Sequence, residues 1–382
     1  MIDRSAAIGY KTGMRMHEKP KREPRSINPE TRSPLVYAGI STTRNPEKNT
    51  MTHCFRLVCV VSLFAISVGT AAAQDKLLVA TLRSVSQACF WVALESGFYK
   101  DYGLEVLPVN FSGGTQTITS LMSGDVQITT TGGSTAINAK LKGGDAVLIS
   151  TTLGTFPYAF YVSQRIRVAD DLRGKKIGIL SFGGTAYPAT RFALQKLGLN
   201  PDTDVAFIQT GDQKARFGAL ISGSIDGTLI QPPDTLKAKE LGFKPILDLA
   251  QSGIKFPMNH NSTTSKFLKT DRDKVKRFMM GYIAGLARLK TDREFSEKVL
   301  AKYLGNPSKA ILDETYDFWS EIFPPKPYVD REEVENYLAT LKDRGSAKVE
   351  DFFDNSIVSE LDREGFIDAV YKRKLKIAPK EK

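Results

Sequence analysis

The chain reads as an α/β protein of two lobes, each a largely parallel sheet flanked by helices, with a helical C-terminal region. Three observations predict this. One short pattern occurs twice, about a hundred residues apart: Leu121-Met122-Ser123-Gly124-Asp125-Val126-Gln127 and Leu220-Ile221-Ser222-Gly223-Ser224-Ile225-Asp226. Each copy combines a helix end, a Gly stop and the start of a short strand. The surroundings repeat too. Ala93-Leu94-Glu95 and Ala193-Leu194-Gln195 lie in helical runs that end near Gly103 and Gly198. Apolar strands at Leu77 to Leu82 and Lys175 to Leu180 precede them at the same offset. Two similar lobes leave a cleft between them, a preferred place for a small molecule.

The elements follow in order. In the first lobe, strand 77 to 82 leads into a helix from about Ala88 to Ser96. Strand 104 to 109 leads into helix 115 to 123. Strand 125 to 130 leads into helix 134 to 142, and strand 146 to 152 follows. Strands separated by helices of this length imply βαβ units and a mostly parallel sheet. Gly97, Gly124 and Gly143 stand where helices should stop. The second lobe repeats the scheme: strand 175 to 180, helix 185 to 197, strand 204 to 208, helix 213 to 222, strand 225 to 230, helix 233 to 240 and strand 244 to 248. Tyr158 to Ser163 reads as one crossing strand between lobes, and Lys255 to Ser262 as the return crossing. From Asp271 the chain becomes helical. Met279, Ile283, Leu286 and Leu289 recur at helical spacing and read as one buried face. Pro324-Pro325-Lys326-Pro327 is a rigid break, and Val334, Tyr337, Leu338 and Leu341 mark another amphipathic helix. The expected division is 74–160 with 260–382 as one lobe and 161–259 as the other.

The N-terminal region carries a different signal. His53 and Arg56 give a weakly basic start, Leu57 to Val68 is an apolar run of 12 residues, and Ala71-Ala72-Ala73 fits a small-residue cleavage site. This is the layout of a secretory signal peptide, predicted to be cut after Ala73, and the run is too short to span a bilayer. A retained anchor is the alternative. The predicted location is therefore the periplasm. Residues 1–50 are polar, contain five prolines and show no apolar period, so disorder is expected. A polar prefix before a signal peptide is unusual, and Met51 is read as the translation start.

Charge and cysteine usage follow from that reading. Of the net +11, residues 1–50 carry +5 and Arg56 one more, which leaves +5 on the 309 residues from Gln74. No basic stripe with interleaved aromatics occurs, which argues against nucleic acid as a partner. Cys54 and Cys59 leave with the signal. Cys89 remains, expected to face the core, so no disulfide forms within the mature chain.

In open parallel sheets ligands sit beyond the carboxyl ends of the strands. The strand-to-helix loops there are Ser84-Val85-Ser86-Gln87, Ser112-Gly113-Gly114-Thr115, Thr131-Gly132-Gly133-Ser134, Ser181-Phe182-Gly183-Gly184-Thr185, Gly211-Asp212-Gln213 and Gln231-Pro232-Pro233-Asp234. They are small, hydroxylic and Gly-rich. Glycine lets a backbone approach a ligand closely, and the free N–H groups of a helix's first turn attract anions. Helix capping alone is the competing reading of any single loop. Phe90, Trp91, Phe156, Tyr158, Phe182 and Tyr187 lie nearby in sequence, as a ligand wall or as core. Arg83 and Arg216 are candidate charge partners, each with a solvated surface role as the alternative.

Little catalytic chemistry accompanies these loops. Gly132-Gly133-Ser134-Thr135-Ala136 approaches a G-x-S-x-G elbow, but Ala136 replaces the last Gly. A hydrolase would need His260, the one His of the mature chain, as its base. One His and one Cys make a zinc site improbable. The nucleotide P-loop and the dinucleotide G-x-G-x-x-G fingerprint are both missing, so no cofactor is expected.

The segment Ala93-Leu94-Glu95-Ser96-Gly97-Phe98-Tyr99-Lys100-Asp101-Tyr102-Gly103-Leu104-Glu105-Val106 resembles the strongest signature of a known family. The Gly113-Gly114-Thr115 loop, Leu121 to Ile128, Asp171 to Ile179 and the Gln231-Pro232-Pro233 turn agree in order and spacing. The family is the SsuA/THI5-like (NMT1-like) group of periplasmic solute-binding proteins, which serve ABC importers of nitrate, sulfonates, taurine, thiamine-pyrimidine precursors and similar solutes. The resemblance covers residues 77 to 260 well and the tail loosely. It implies the periplasmic-binding-protein fold, a monomer that closes on a small polar or anionic solute, and an inner-membrane permease as partner. Gly113, Gly114 and Thr115 match one family binding loop, Gly133 and Ser134 another, and Gly183, Gly184 and Thr185 a third. Ser86, Gln87, Asp212 and Gln231 complete the expected site. The pyrimidine-synthase branch of the family uses His and a Cys-rich motif. This chain has His260 alone after residue 73 and no Cys-rich motif, so that enzymatic alternative departs from the residues present.

Overall fold

The computed structural model describes residues 74–182, 186–341 and 346–372. The prefix 1–50, the expected signal peptide 51–73 and the loop residues Gly183, Gly184 and Thr185 lie outside them. Among the described residues ten strands form two five-stranded sheets. The first contains β1 (Asp75–Leu82), β2 (Leu104–Phe111), β3 (Ile128–Thr131), β4 (Ala146–Leu153) and β10 (Asn259–Thr264), in the order β2-β1-β3-β10-β4. The second contains β5 (Ala159–Val162), β6 (Lys175–Ile179), β7 (Val205–Gln209), β8 (Gly227–Ile230) and β9 (Lys244–Asp248), in the order β7-β6-β8-β5-β9. The two orders are the same scheme. In each, the fourth place is taken by the strand that has just crossed from the other sheet, and that strand alone runs antiparallel to both neighbours. The repeat in the sequence is thus a repeat of topology.

The crossing strands differ from expectation in one respect. They are interior members of the sheets and not only connections. β10 reads Asn-His-Asn-Ser-Thr-Thr, and all but its last residue is buried. Buried polar groups need partners. Thr263 Oγ1 donates to Gln127 O at 2.7 Å, and Asn261 Nδ2 to Ser150 Oγ at 2.8 Å.

Helices cover both sheets: α1 (Ala88–Glu95), α2 (Phe98–Asp101), α3 (Gly114–Ser123) and α4 (Gly133–Leu141) in the first lobe, α5 (Ala186–Lys196), α6 (Gln213–Ile221) and α7 (Asp234–Glu240) in the second. α1 stops at Gly97 and α3 at Gly124, with φ of 76° and 84°. A side chain there would be strained, which is why glycine ends these helices. Cys89 is a free, fully buried thiol on α1, as its position suggests.

The C-terminal region comprises α8 (Ser265–Thr270), α9 (Arg272–Thr291), α10 (Arg293–Leu304), α11 (Lys309–Ile322), α12 (Arg331–Ala339), α13 (Ser356–Arg363) and α14 (Phe366–Lys372). The expected face Met279, Ile283, Leu286 and Leu289 is buried, and α9 packs on α1 through Gly285. The contact is close. A Cβ on Gly285 would stand 2.5 Å from Ala93 Cβ, so the helices meet backbone to backbone there. α10 lies over α1 through the stacked rings of Trp91 and Tyr303, 4.5 Å apart. α11 reaches the second lobe, where Glu314 accepts from Thr235 Oγ1 at 3.1 Å and Trp319 Nε1 donates to Pro232 O at 3.4 Å.

Candidate functional site at the facing edges of the two sheets

On the first lobe, three of the expected loops converge. The β1–α1 connection is a 3-10 turn, Val85–Gln87. Gln87 is buried, and its Nε2 donates to Thr130 O at 3.0 Å, which ties this loop to the end of β3. Ser86 Oγ donates to Ser84 Oγ at 3.1 Å, and Asn259 Nδ2 on the return crossing donates to Ser86 O at 3.3 Å. Gly113 is extended and opens α3. Gly114 sits so close to β3 and α4 that a Cβ on it would lie 3.2 Å from Thr131 Oγ1 and 3.1 Å from Thr135 Oγ1. Both hydroxyls are buried and have no hydrogen-bond partner among the described residues. The N–H groups of Gly114 and Thr115, on the first turn of α3, likewise find no acceptor there. Two hydroxyls and two amides therefore surround one glycine with their donor capacity unused, beside a helix N-terminus. That is a cradle for an acceptor-rich or anionic group. Thr115 itself is exposed.

The Gly133-Ser134 loop behaves differently. Ser134 N donates to Pro257 O at 3.2 Å, and a Cβ on Gly133 would stand 2.5 Å from His260 Nδ1. The return crossing closes over the start of α4, so its first-turn amides are partly spent inside the protein. Gly133 and Ser134 are both buried.

On the second lobe, Asp212 caps α6 by accepting from Ala215 N at 2.9 Å. Gln213 binds the neighbouring loop together. Its Nε2 donates to Gln231 O at 2.9 Å and Asp234 Oδ2 at 2.7 Å, and its Oε1 accepts from Gln231 N at 3.2 Å. Gln231 then bridges the lobes: its Nε2 reaches Ser84 Oγ at 3.5 Å, while its buried Oε1 has no partner among the described residues. Ser84, Ser86, Gln87 and Gln231 are thus drawn into one network, with Gly114 packed against Thr131 and Thr135 beside it and Asp212 next to Gln213 on the second lobe.

Of the two readings of the aromatic residues, core holds for most, and one expectation about a side chain changes. The aromatic residues are mostly core. Phe90, Trp91, Phe156 and Tyr158 are buried, and Phe156 packs on Phe192 and Phe256 at 5.6 and 4.5 Å. Phe182 is 56% exposed and leans edge-on against Tyr187, 5.3 Å away. Arg216 is not the solvated side chain that was the preferred alternative: it is buried on α6. Its position four before Leu220 on the core face of an amphipathic helix is the sequence signal for this. Arg83 is exposed.

The base that the hydrolase alternative would need lies in the core. His260 is fully buried, its Nε2 lies 2.9 Å from Glu333 Oε2 and 3.0 Å from Thr151 Oγ1, and its Nδ1 has no hydrogen-bond partner. A nucleophile–base hydrogen bond between Ser134 and His260, which such a mechanism requires, is not made.

The model of the family described as NMT1/THI5 like matches residues 85–292, a stretch that begins just after Ser84 and holds the rest of the site. The chain belongs to the NMT1/THI5-like family. A curated relative in sequence is the "Putative binding protein YtlA" of Bacillus subtilis (strain 168), 26% identical over 231 residues, covering 58% of this chain and 69% of that protein. Among solved structures, the alkanesulfonate-binding protein SsuA of Xanthomonas axonopodis pv. citri, bound to MOPS, superposes with a TM-score of 0.60 at 20% identity, over 71% of this chain and 92% of its own. The desulfurization enzyme DSZB superposes with a TM-score of 0.59 at 16% identity, over 76% and 99%. At these identities the superpositions show the shared periplasmic-binding-protein fold. That one fold carries binding proteins and an enzyme, so function has to be argued from the site.

Proposed function

We propose that this protein is the extracytoplasmic solute-binding component of an ABC importer. It captures a small polar or anionic organic solute between its lobes by hinge closure, as a monomer, and hands it to an inner-membrane permease. Export through the signal peptide, cut after Ala73, would deliver it to the periplasm. Chemistry is not part of the proposal.

One observation carries this reading. The Gly114 cradle supplies unused hydrogen-bond donors on the first lobe, and Gln231 stands opposite on the second, while the site's one histidine is committed to Glu333 and Thr151. Only two connections, residues 154–158 and 249–258, join the sheets directly, an arrangement suited to hinge motion about a ligand. A solute that touches both walls stabilises the closed state by its differential contacts. The expected lobe division, the binding roles of Ser86, Gln87, Gly113, Gly114, Thr115, Gly133, Ser134, Asp212 and Gln231, and those of Gly183, Gly184 and Thr185, belong to this proposal. The sulfonate-binding relative makes alkanesulfonates a sensible first panel.

The test is thermal unfolding against alkanesulfonates, carboxylates, pyrimidines and nitrate, followed by recovery of the added compound. A concentration-dependent rise in melting temperature with the compound recovered unchanged supports a carrier. Conversion of the compound, abolished in Ser134→Ala, would replace this reading with the hydrolase.

A further inference from the structure

The most unusual charge among the described residues is Arg216. It sits in the first turns of α6, and helical side chains lean toward the N-terminus, which here is the edge where strand-to-helix loops gather. Its Nε donates to Thr228 Oγ1 at 3.1 Å, its Nη1 to Gly211 O at 3.0 Å and its Nη2 to Leu229 O at 3.5 Å. All three acceptors are neutral. A guanidinium has five N–H donors, so two remain without an acceptor among the described residues. The side chain is 5% exposed, and no carboxylate forms an ion pair with it there. The neighbouring acids are turned elsewhere: Asp212 to Ala215 N, Asp234 to Gln213 Nε2. Burial draws the Arg216 pKa down, with Tyr158 of the crossing segment and both acids acting on it through space in the opposite direction.

A buried charge without a counter-charge is costly. Tying the β7–α6 loop to β8 could be done by a neutral donor at lower cost. The surplus donors, the planar fork and the place between the β7–α6 loop and the carboxyl half of β8 suit an oxyanion arriving from the cleft.

We propose that Arg216 is the counter-charge for the acid group of the solute, so that the molecule carried is an organic oxyanion: a carboxylate, sulfonate or phosphate. This rests on the carrier reading and deepens it. The first-lobe cradle would then hold the solute's other polar end or a second oxygen of the same group.

The test uses inorganic sulfate as the probe, titrated at low millimolar concentration against sodium chloride of equal ionic strength, with wild type, Arg216→Gln and Arg216→Lys. In wild type the melting temperature should rise with sulfate and saturate. Arg216→Gln should lose that rise yet melt no lower than wild type in chloride. Arg216→Lys should keep the charge and need at least tenfold more sulfate, which decides the matter if the Gln variant does not fold. An equal response in either variant, or a Gln variant that melts well below wild type with its sulfate response intact, would make Arg216 a strut and overturn the proposal. No sulfate-specific response in wild type would also overturn it, while leaving the carrier reading open for a neutral solute. Turnover of a solute would sink the carrier reading without touching the sulfate result.

Discussion

Glu333 on α12 places its Oε2 2.9 Å from Nε2 of His260 on β10, with both side chains buried. The pair joins a C-terminal helix to the strand that returns from the second lobe, and Thr151 Oγ1 on β4 completes it through 3.2 Å to the same carboxylate oxygen. Removing one partner of a buried pair leaves the other uncompensated. Glu333→Ala leaves the buried Thr151 Oγ1 and His260 Nε2 short of a partner and should cost about 1–3 kcal/mol, read as a lower urea midpoint at unchanged m-value, and Glu333→Gln, which retains an acceptor, should cost clearly less. A change in Glu333→Ala no larger than for a surface substitution would mean that the pair does not brace the fold.

The same histidine makes Gly133 indispensable for packing. A methyl there would lie 2.5 Å from His260 Nδ1 and 3.0 Å from Pro257 Cβ, with strand and crossing held firm on either side. Overpacking of this kind costs about 1–3 kcal/mol. Chemical denaturation of Gly133→Ala should show that loss. Stability within a few tenths of wild type would show that the return crossing gives way easily.

Gly114 should separate binding from folding. The atoms nearest its Cβ position are the ends of two threonine side chains, which can rotate. Gly114→Val should therefore remain folded while the solute's affinity, measured by titration calorimetry, falls at least tenfold. Retained affinity would remove the Thr131–Thr135 cradle from the site.

Acid should weaken the second lobe through Asp226. Burial alone would raise the pKa of this carboxyl, but donation from Lys176 N at 3.0 Å and pairing with Arg165 outweigh it and hold the value below the ordinary aspartate range. A depressed folded pKa means stability that is present above the unfolded value, about 3.9, and is lost as pH falls through the folded value. Urea midpoints between pH 6 and pH 3 should fall less steeply for Asp226→Asn than for wild type. Parallel slopes would exclude this carboxylate as a source of acid sensitivity.

Much of the fold is legible in the sequence because strands such as Leu77 to Leu82 are apolar and helix ends carry glycine. The repeat at Leu121 and Leu220 foretells two sheets of the same order. β10 is hidden because its residues are polar: burial of Asn259, His260 and Asn261 depends on partners such as Ser86 and Ser150 that lie more than a hundred residues away. In the helical tail, α10, α11, α13 and α14 do not stand apart from one another in the sequence, since charged residues on their outer faces dilute the apolar period. At the site, the Gly and hydroxyl loops stand out by composition. Arg216 does not, because an arginine on a helix is more often solvated than buried, and only the contact with Thr228 and Leu229 reveals which face it occupies.

Hydrogen–deuterium exchange, with and without the solute that raises the melting temperature, tests the two-walled site most directly. A solute held by both lobes should slow exchange at residues 112–116 and 211–216 together. Protection confined to one of these loops, or appearing at neither, would contradict capture between the lobes.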